Sequence, residues 1–240
     1  MEKEGAKLEF VHYRIEEFYI MMDTLSREIP IIPRQSALLF IDVQNYNARP
    51  DGGEYKDKGL QPAEAEKKYD YFFKQLKESV IPNMQRLQNI CRKKHIEVMY
   101  TVIESLTKDG RDRSLDYKIS GFNVPKGSWD AKVLSEIRPM EDEIVIPKTS
   151  SSVFISTNID FILRNLDVNF LVMSGLLTDQ CVSHAVRDAC DHGYLVTLIT
   201  DACATLSLER HDTAINHIKG YCRQRTTDEF LREIQLLPSA

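Results

Sequence analysis

Short runs of β-branched and other apolar residues alternate along this chain with longer segments whose apolar positions recur at helical spacing. That alternation predicts repeated strand–helix units on a parallel sheet. The first run is "ALLFIDV", Ala37 to Val43. "IEVMYTVI" (Ile96 to Ile103), "EIVIPK" (Glu143 to Lys148), Phe170 to Ser174 and "LVTLITD" after Gly193 follow, and "GYCRQR" reads as a short edge strand. The expected fold class is α/β: three layers, with a Rossmann-like, mostly parallel sheet of about six strands flanked by helices.

Between these runs, Gln61 to His95 predicts one long helix or two, with Pro82 near the start of the second part. The polar stretch from Glu104 to Gly127 reads as a long functional loop lying over a site, and a short helix is expected from about Ser128. "STNIDFILRNLD" predicts a helix capped by Ser156 or Thr157. Beyond Asp179, the residues Val182, Ala185, Val186 and Ala189 share a helical face, and Gly193 stands at the stop position. Thr226 and Glu229 form the pattern of a capping box at the last helix.

No internal repeat or low-complexity linker divides the chain, so residues 35–240 are read as one domain and residues 1–34 as an N-terminal extension. The aromatic-rich "FVHYRIEEFYIMM" in that extension is expected to lie across the core or a neighbouring subunit.

Composition narrows the partners. At 240 residues with 42% hydrophobic content, the chain can bury a large core without disulfides or metals as staples. A formal net charge of −5 leaves no excess of cations for phosphates, so a small-molecule substrate is expected and nucleic acid is not. Charges interrupt every apolar stretch of the N-terminus, and no run approaches the ~18 apolar residues of a membrane span. A cytoplasmic location without a membrane partner is therefore expected. The five cysteines are odd in number and lack CxxC spacing, so each is judged as a thiol.

Ligands of open parallel α/β sheets bind beyond the carboxyl ends of the strands. Three reactive side chains fall at such ends: Asp42, Lys148 and, after the strand ending at Gly175, Cys181. Singly, each has an ordinary reading as a cap, an exposed charge and a small core residue. Together they supply an acid, a cation and a thiol, the parts of an activated nucleophile. A helix start and a nearby Lys148 would lower the thiol pKa, so a Cys181 thiolate at neutral pH is expected.

The motifs themselves are "IDVQN" from Ile41, "PKTSSSVF" from Pro147 and "GLLTDQCV" from Gly175. With these, the sequence from about Ala37 onward resembles the isochorismatase-like cysteine hydrolase superfamily. The resemblance implies an Asp–Lys–Cys triad at Asp42, Lys148 and Cys181. It also implies a cis peptide at Leu176-Leu177 and an oxyanion hole from the backbone N–H groups of Leu177 and Cys181. "IDVQNYNARPDGGEY" and "KGSWD" look most like ureidoacrylate amidohydrolases and related biuret- and carbamoyl-cleaving enzymes. Relatives that bind a metal do so through an Asp-x-His pattern after the first strand. This chain has no His between His12 and His95, so no metal and no other cofactor is expected. The resemblance further implies a homodimer or homotetramer.

The function expected is therefore a cysteine-dependent amidohydrolase cleaving a C–N bond of a small ureido, carbamoyl or carboxamide substrate through a thioester. The alternatives are a catalytically silent member acting as a binding or scaffold protein, and a hydrolase of a vinyl ether or lactam. Candidates for substrate binding are Gln44, Asn45 and Tyr46 beyond the first strand, Glu104 beyond the second, Arg111, Arg113 and Lys118 in the polar loop, and Trp129 as an aromatic wall. The loop cations would suit a substrate carboxylate, or would pair with their own acidic neighbours. His184 lies three residues after Cys181, close enough to compete as a Cys/His pair, although a supporting or surface role is favoured. Cys190 and Cys203 read as packing thiols.

Overall fold

The computed structural model describes residues 26–237, in which each predicted apolar run becomes a strand. These are β1 (Ser36–Ile41), β2 (Glu97–Ile103), β3 (Ile144–Lys148), β4 (Phe170–Leu176), β5 (Leu195–Ala204) and β6 (Arg223–Arg225). All pairings are parallel and the order is β3-β2-β1-β4-β5-β6. Every residue of β1 and β4 is buried, because helices cover both faces of a parallel sheet. Ala37, Leu39 and Ile41 of β1 join one core with the helices Ile159–Asn165 and Ser183–Asp191. On the opposite face Phe40 packs on Tyr100 of β2, with ring centroids 5.4 Å apart. Pro147, which has no N–H for a ladder bond, is accommodated because β3 is an edge strand.

The chain divides after Pro30, and of the first unit only the turn Ser26–Pro30 is described. "FVHYRIEEFYIMM" lies outside the described residues. No helix of the described residues is long and apolar enough to cross a membrane.

Local readings differ from the structure at four places. Gln61 to His95 forms Pro62–Lys68, Asp70–Gln75, a π turn Leu76–Val80 and the helix Ile81–Lys93, with Pro82 in the first turn of the last. The polar loop contains a helix, Leu115–Ser120, capped by the Ser114 hydroxyl, which accepts from Tyr117 N at 3.2 Å. No helix starts at Ser128. That backbone is committed to the loop after β1 instead: the carbonyls of Asp130 and Lys132 accept from Tyr46 N and Asn45 N, leaving only a 3₁₀ turn at Ser135–Ile137. "STNIDFILRNLD" breaks into Val153–Ser156 and Ile159–Asn165, the second starting at Asn158, while Thr157 Oγ1 accepts from Ile159 N at 3.2 Å.

Candidate active site

The order β3-β2-β1-β4 reverses direction between β1 and β4, and a crevice opens beyond the ends of those two strands. Their close approach depends on Gly175. At φ +143 it faces Ile41 across the ladder, and a Cβ there would stand 2.3 Å from the Ile41 carbonyl oxygen. Asp42 follows Ile41 with φ 54, a left-handed conformation that Asp tolerates better than most residues. The turn is held by Asp42 N donating to the Thr101 carbonyl at 3.1 Å.

Three elements converge on one buried cluster. Asp42 Oδ1 accepts from the Thr101 hydroxyl at 2.7 Å, and Oδ2 lies 2.8 Å from Lys148 Nζ, both side chains being fully buried. Beyond that ion contact Oδ2 has no further hydrogen-bond partner among the described residues, and the Asp42 carboxylate interacts with the Cys181 thiol. Lys148 Nζ donates to Tyr117 Oη at 2.9 Å and to the Ser150 carbonyl at 2.8 Å, and reaches Cys181 Sγ at 3.4 Å. Cys181 sits in a π turn, Thr178–Val182, that leads from β4 into the helix Ser183–Asp191. The Leu176-Leu177 peptide just before that turn is cis.

The electrostatics differ from the thiolate expectation. Burial raises the Cys181 thiol, Lys148 draws it down and the Asp42 charge and hydrogen bond raise it again, so that it is pushed up to about 11. Cys181 is therefore a protonated thiol beside an ion pair at neutral pH, and a thiolate would place a second buried anion next to Asp42. For Lys148, burial disfavours the ammonium, but Asp42, Cys181 and Tyr117 together outweigh it and its pKa is raised. The cluster thus brings a carboxylate, an ammonium and a thiol together, groups that can exchange a proton.

A cavity of about 240 Å³ opens over Cys181, with Leu176 and Leu177 on one wall and Tyr117 and Phe122 on another. The second wall rests on a small apolar cluster of Tyr46, Ile103, Tyr117, Val124 and Ala131, which seats the helix Leu115–Ser120 against the sheet end. Tyr117 is the principal residue that sequence reasoning missed. Its hydroxyl accepts from Lys148, donates to Ser150 O at 2.9 Å and lies 3.8 Å from Cys181 Sγ. The Ser114 cap was its legible signal. Ser151, quoted in a motif but given no role, has its hydroxyl 3.8 Å from Sγ and 2.7 Å from His184 Nδ1. His184 is exposed at the cavity mouth and engages Ser151 rather than the thiol.

The eight proposed substrate-binding residues are not brought into the cavity lining. Gln44 is buried and clamps both backbone groups of Ile103, at 2.9 and 2.6 Å. Asn45 donates to the Trp129 carbonyl, and Tyr46 packs edge-on against Phe122. Glu104 accepts from Gly127 N, closing the base of the polar loop. Arg111 pairs with Asp109 on the surface, while Lys118 projects from the helix Leu115–Ser120 without joining the lining. Trp129 is half-exposed under the Lys56 ammonium. Arg113 is likewise occupied, donating to the carbonyls of Gly110 and Phe122. Among the described residues, no group of three or more His, Cys, Asp or Glu side chains is arranged to hold a metal ion.

Comparison with known proteins supplies the lineage. The family model of the isochorismatase domain matches residues 36–229. An N-carbamoylsarcosine amidase from Arthrobacter is 33% identical over 122 residues, 49% of this chain and 46% of that protein, so the match spans about half the relative's length. A ureidoacrylate amidohydrolase from Rhizobium rhizogenes is 28% identical over 178 residues, 72% of each chain. The crystal structure of a cysteine hydrolase from Pseudomonas syringae superposes with a TM-score of 0.72 at 21% identity, covering 87% of this chain and 96% of that one, which shows a shared fold.

Proposed function

The chain belongs to the isochorismatase family, and from that premise we propose that it is a cysteine-dependent amidohydrolase of a small ureido, carbamoyl or carboxamide compound. The observation that carries this reading is the buried contact of Cys181, Lys148 and Asp42 at the floor of a cavity. Relatives named as an amidase and an amidohydrolase support hydrolysis of a non-peptide C–N bond.

In the proposed cycle Cys181 Sγ attacks the carbonyl carbon while Asp42 takes the thiol proton. The C–N bond breaks as Asp42 returns that proton to the leaving nitrogen, and ammonia or an amine departs. Water then adds to the thioester, or thiocarbamate, giving one proton to Asp42. Collapse breaks the C–S bond, releases the acid and restores the thiol. Lys148 keeps Asp42 in place and balances its charge; the amides of Leu177 and Cys181 hold the oxyanion in this scheme.

The test is ammonia release from ureidoacrylate, biuret, N-carbamoyl amino acids, nicotinamide and simple carboxamides, run beside Cys181→Ala. Release that disappears in the folded variant is expected. Release that persists near the parent rate would remove Cys181 as nucleophile, and silence across the panel would turn the reading toward a binding protein.

A further inference from the structure

Charge in the cavity is one-sided. Carboxyl groups of Asp42, Glu54, Asp116 and Asp179 line it, whereas no Lys or Arg among the described residues does. Lys148 lies beneath, committed to Asp42. Asp179 is engaged by Arg210 and by the Thr205 hydroxyl, and Glu54 by Lys58 at 3.0 Å. Asp116 has no ion-pair partner among the described residues.

A second observation concerns hydrogen bonding. Asn47 lines the same cavity, is 5% exposed, and its Oδ1 is buried without a hydrogen-bond partner in the protein. Buried amide oxygens are nearly always satisfied, so an acceptor left open inside a cavity calls for an N–H or O–H from what binds there. Burial also raises the Glu54 carboxyl above its ordinary range although Lys58 opposes this.

We propose that the substrate's distal end is an N–H-bearing cation: an amine- or guanidine-bearing carboxamide or ureide, not an anionic ureido acid. An ammonium or guanidinium finds the Asn47 oxygen and the carboxylates of Glu54 and Asp116. A carboxylate in the same place finds no Lys or Arg side chain to receive it. The identity of the compound as a substrate rests on the amidohydrolase reading; the cavity's preference for positive charge does not.

Two methanethiosulfonates of similar size, one bearing a trimethylammonium and one a sulfonate, test that preference without turnover. Each is reacted with the full chain, the adduct is located at Cys181 by peptide mass spectrometry, and the rate is divided by that with 2-mercaptoethanol. The cation is expected to label Cys181 at least about tenfold faster, as focused charge in a cleft does to approach rates. Asp116→Asn and Glu54→Gln are expected to narrow the ratio. Equal rates, a faster anion, or no labelling of Cys181 by either reagent would overturn the proposal. Ammonia release from ureas and carboxamides ending in ammonium, hydroxyl or carboxylate should fall in that order of kcat/KM. A preference for the carboxylate would refute the proposal while leaving the amidohydrolase intact. Silence across that series with cation-selective labelling retained would instead refute the amidohydrolase reading.

Discussion

Replacing Lys148 with Met separates the site's electrostatics from its packing. The thioether retains much of the aliphatic stem but removes the ammonium 2.8 Å from Asp42 Oδ2, where both side chains are fully buried. Breaking a buried ion pair from one side costs about 3–5 kcal/mol, because the remaining charge has no counter-ion. Asp42 retains the Thr101 hydrogen bond to Oδ1, which is not enough to neutralise it. Lys148→Met should therefore lower unfolding stability by about 3 kcal/mol or more, read from urea titrations. Removing the second charge as well should reverse most of that loss, since the double variant Asp42→Asn/Lys148→Met leaves no isolated ion. Activity should stay absent in both, because the single variant lacks the ammonium that holds and balances Asp42 and the double lacks the Asp42 carboxylate as well. If the single variant lost under about 1 kcal/mol, the range of exposed pairs, or if the double were no more stable than the single, the pair would not be the buried ionic contact described.

Four further outcomes are expected. Tyr117→Phe removes the acceptor for Lys148 Nζ while leaving the ring in its apolar seat; kcat should fall about tenfold, the equivalent of one buried hydrogen bond, with thermal stability changed little. Gly175→Ala places a Cβ against the Ile41 carbonyl in a left-handed backbone and should cost about 2–3 kcal/mol, with a lower midpoint in urea. The Cys181 thiol at about 11 and Cys203 at about 12 are both pushed up chiefly by burial. The unfolded chain releases these protons first, so it binds fewer than the folded chain above pH ~8.5, and stability falls as pH rises toward the folded values. Urea midpoints at pH 8, 9 and 10 should decline, and the decline should be shallower in Cys181→Ala. Alkylation of resting Cys181 by iodoacetamide should still be rising past pH 9, where a thiolate site would already have levelled off.

The strands and the three reactive residues at their ends were legible because their signals are local. "ALLFID", "IVIPK" and "FLVMSG" are short apolar runs closed by a polar residue or glycine, and parallel-sheet strands buried on both faces have that look. The same locality misplaced the segment after Ser128, whose backbone bonds go to Val43, Asn45 and Tyr46, more than eighty positions earlier. Periodicity cannot register a partner at that distance.

Tertiary structure alone decided how those residues are placed. The order β3-β2-β1-β4 sets Asp42, Lys148 and Cys181 side by side, and strand order depends on which crossovers pack, not on any one run of sequence. Arg111 and Lys118 read as substrate cations in a polar loop; folding left them outside the cavity and brought Asn47, Glu54 and Asp116 to its lining. The thiol's protonation was decided in the same way. Sequence named a helix start and a lysine, both of which lower a thiol pKa, whereas burial and the Asp42 carboxylate, which raise it, exist only once the chain has closed around them.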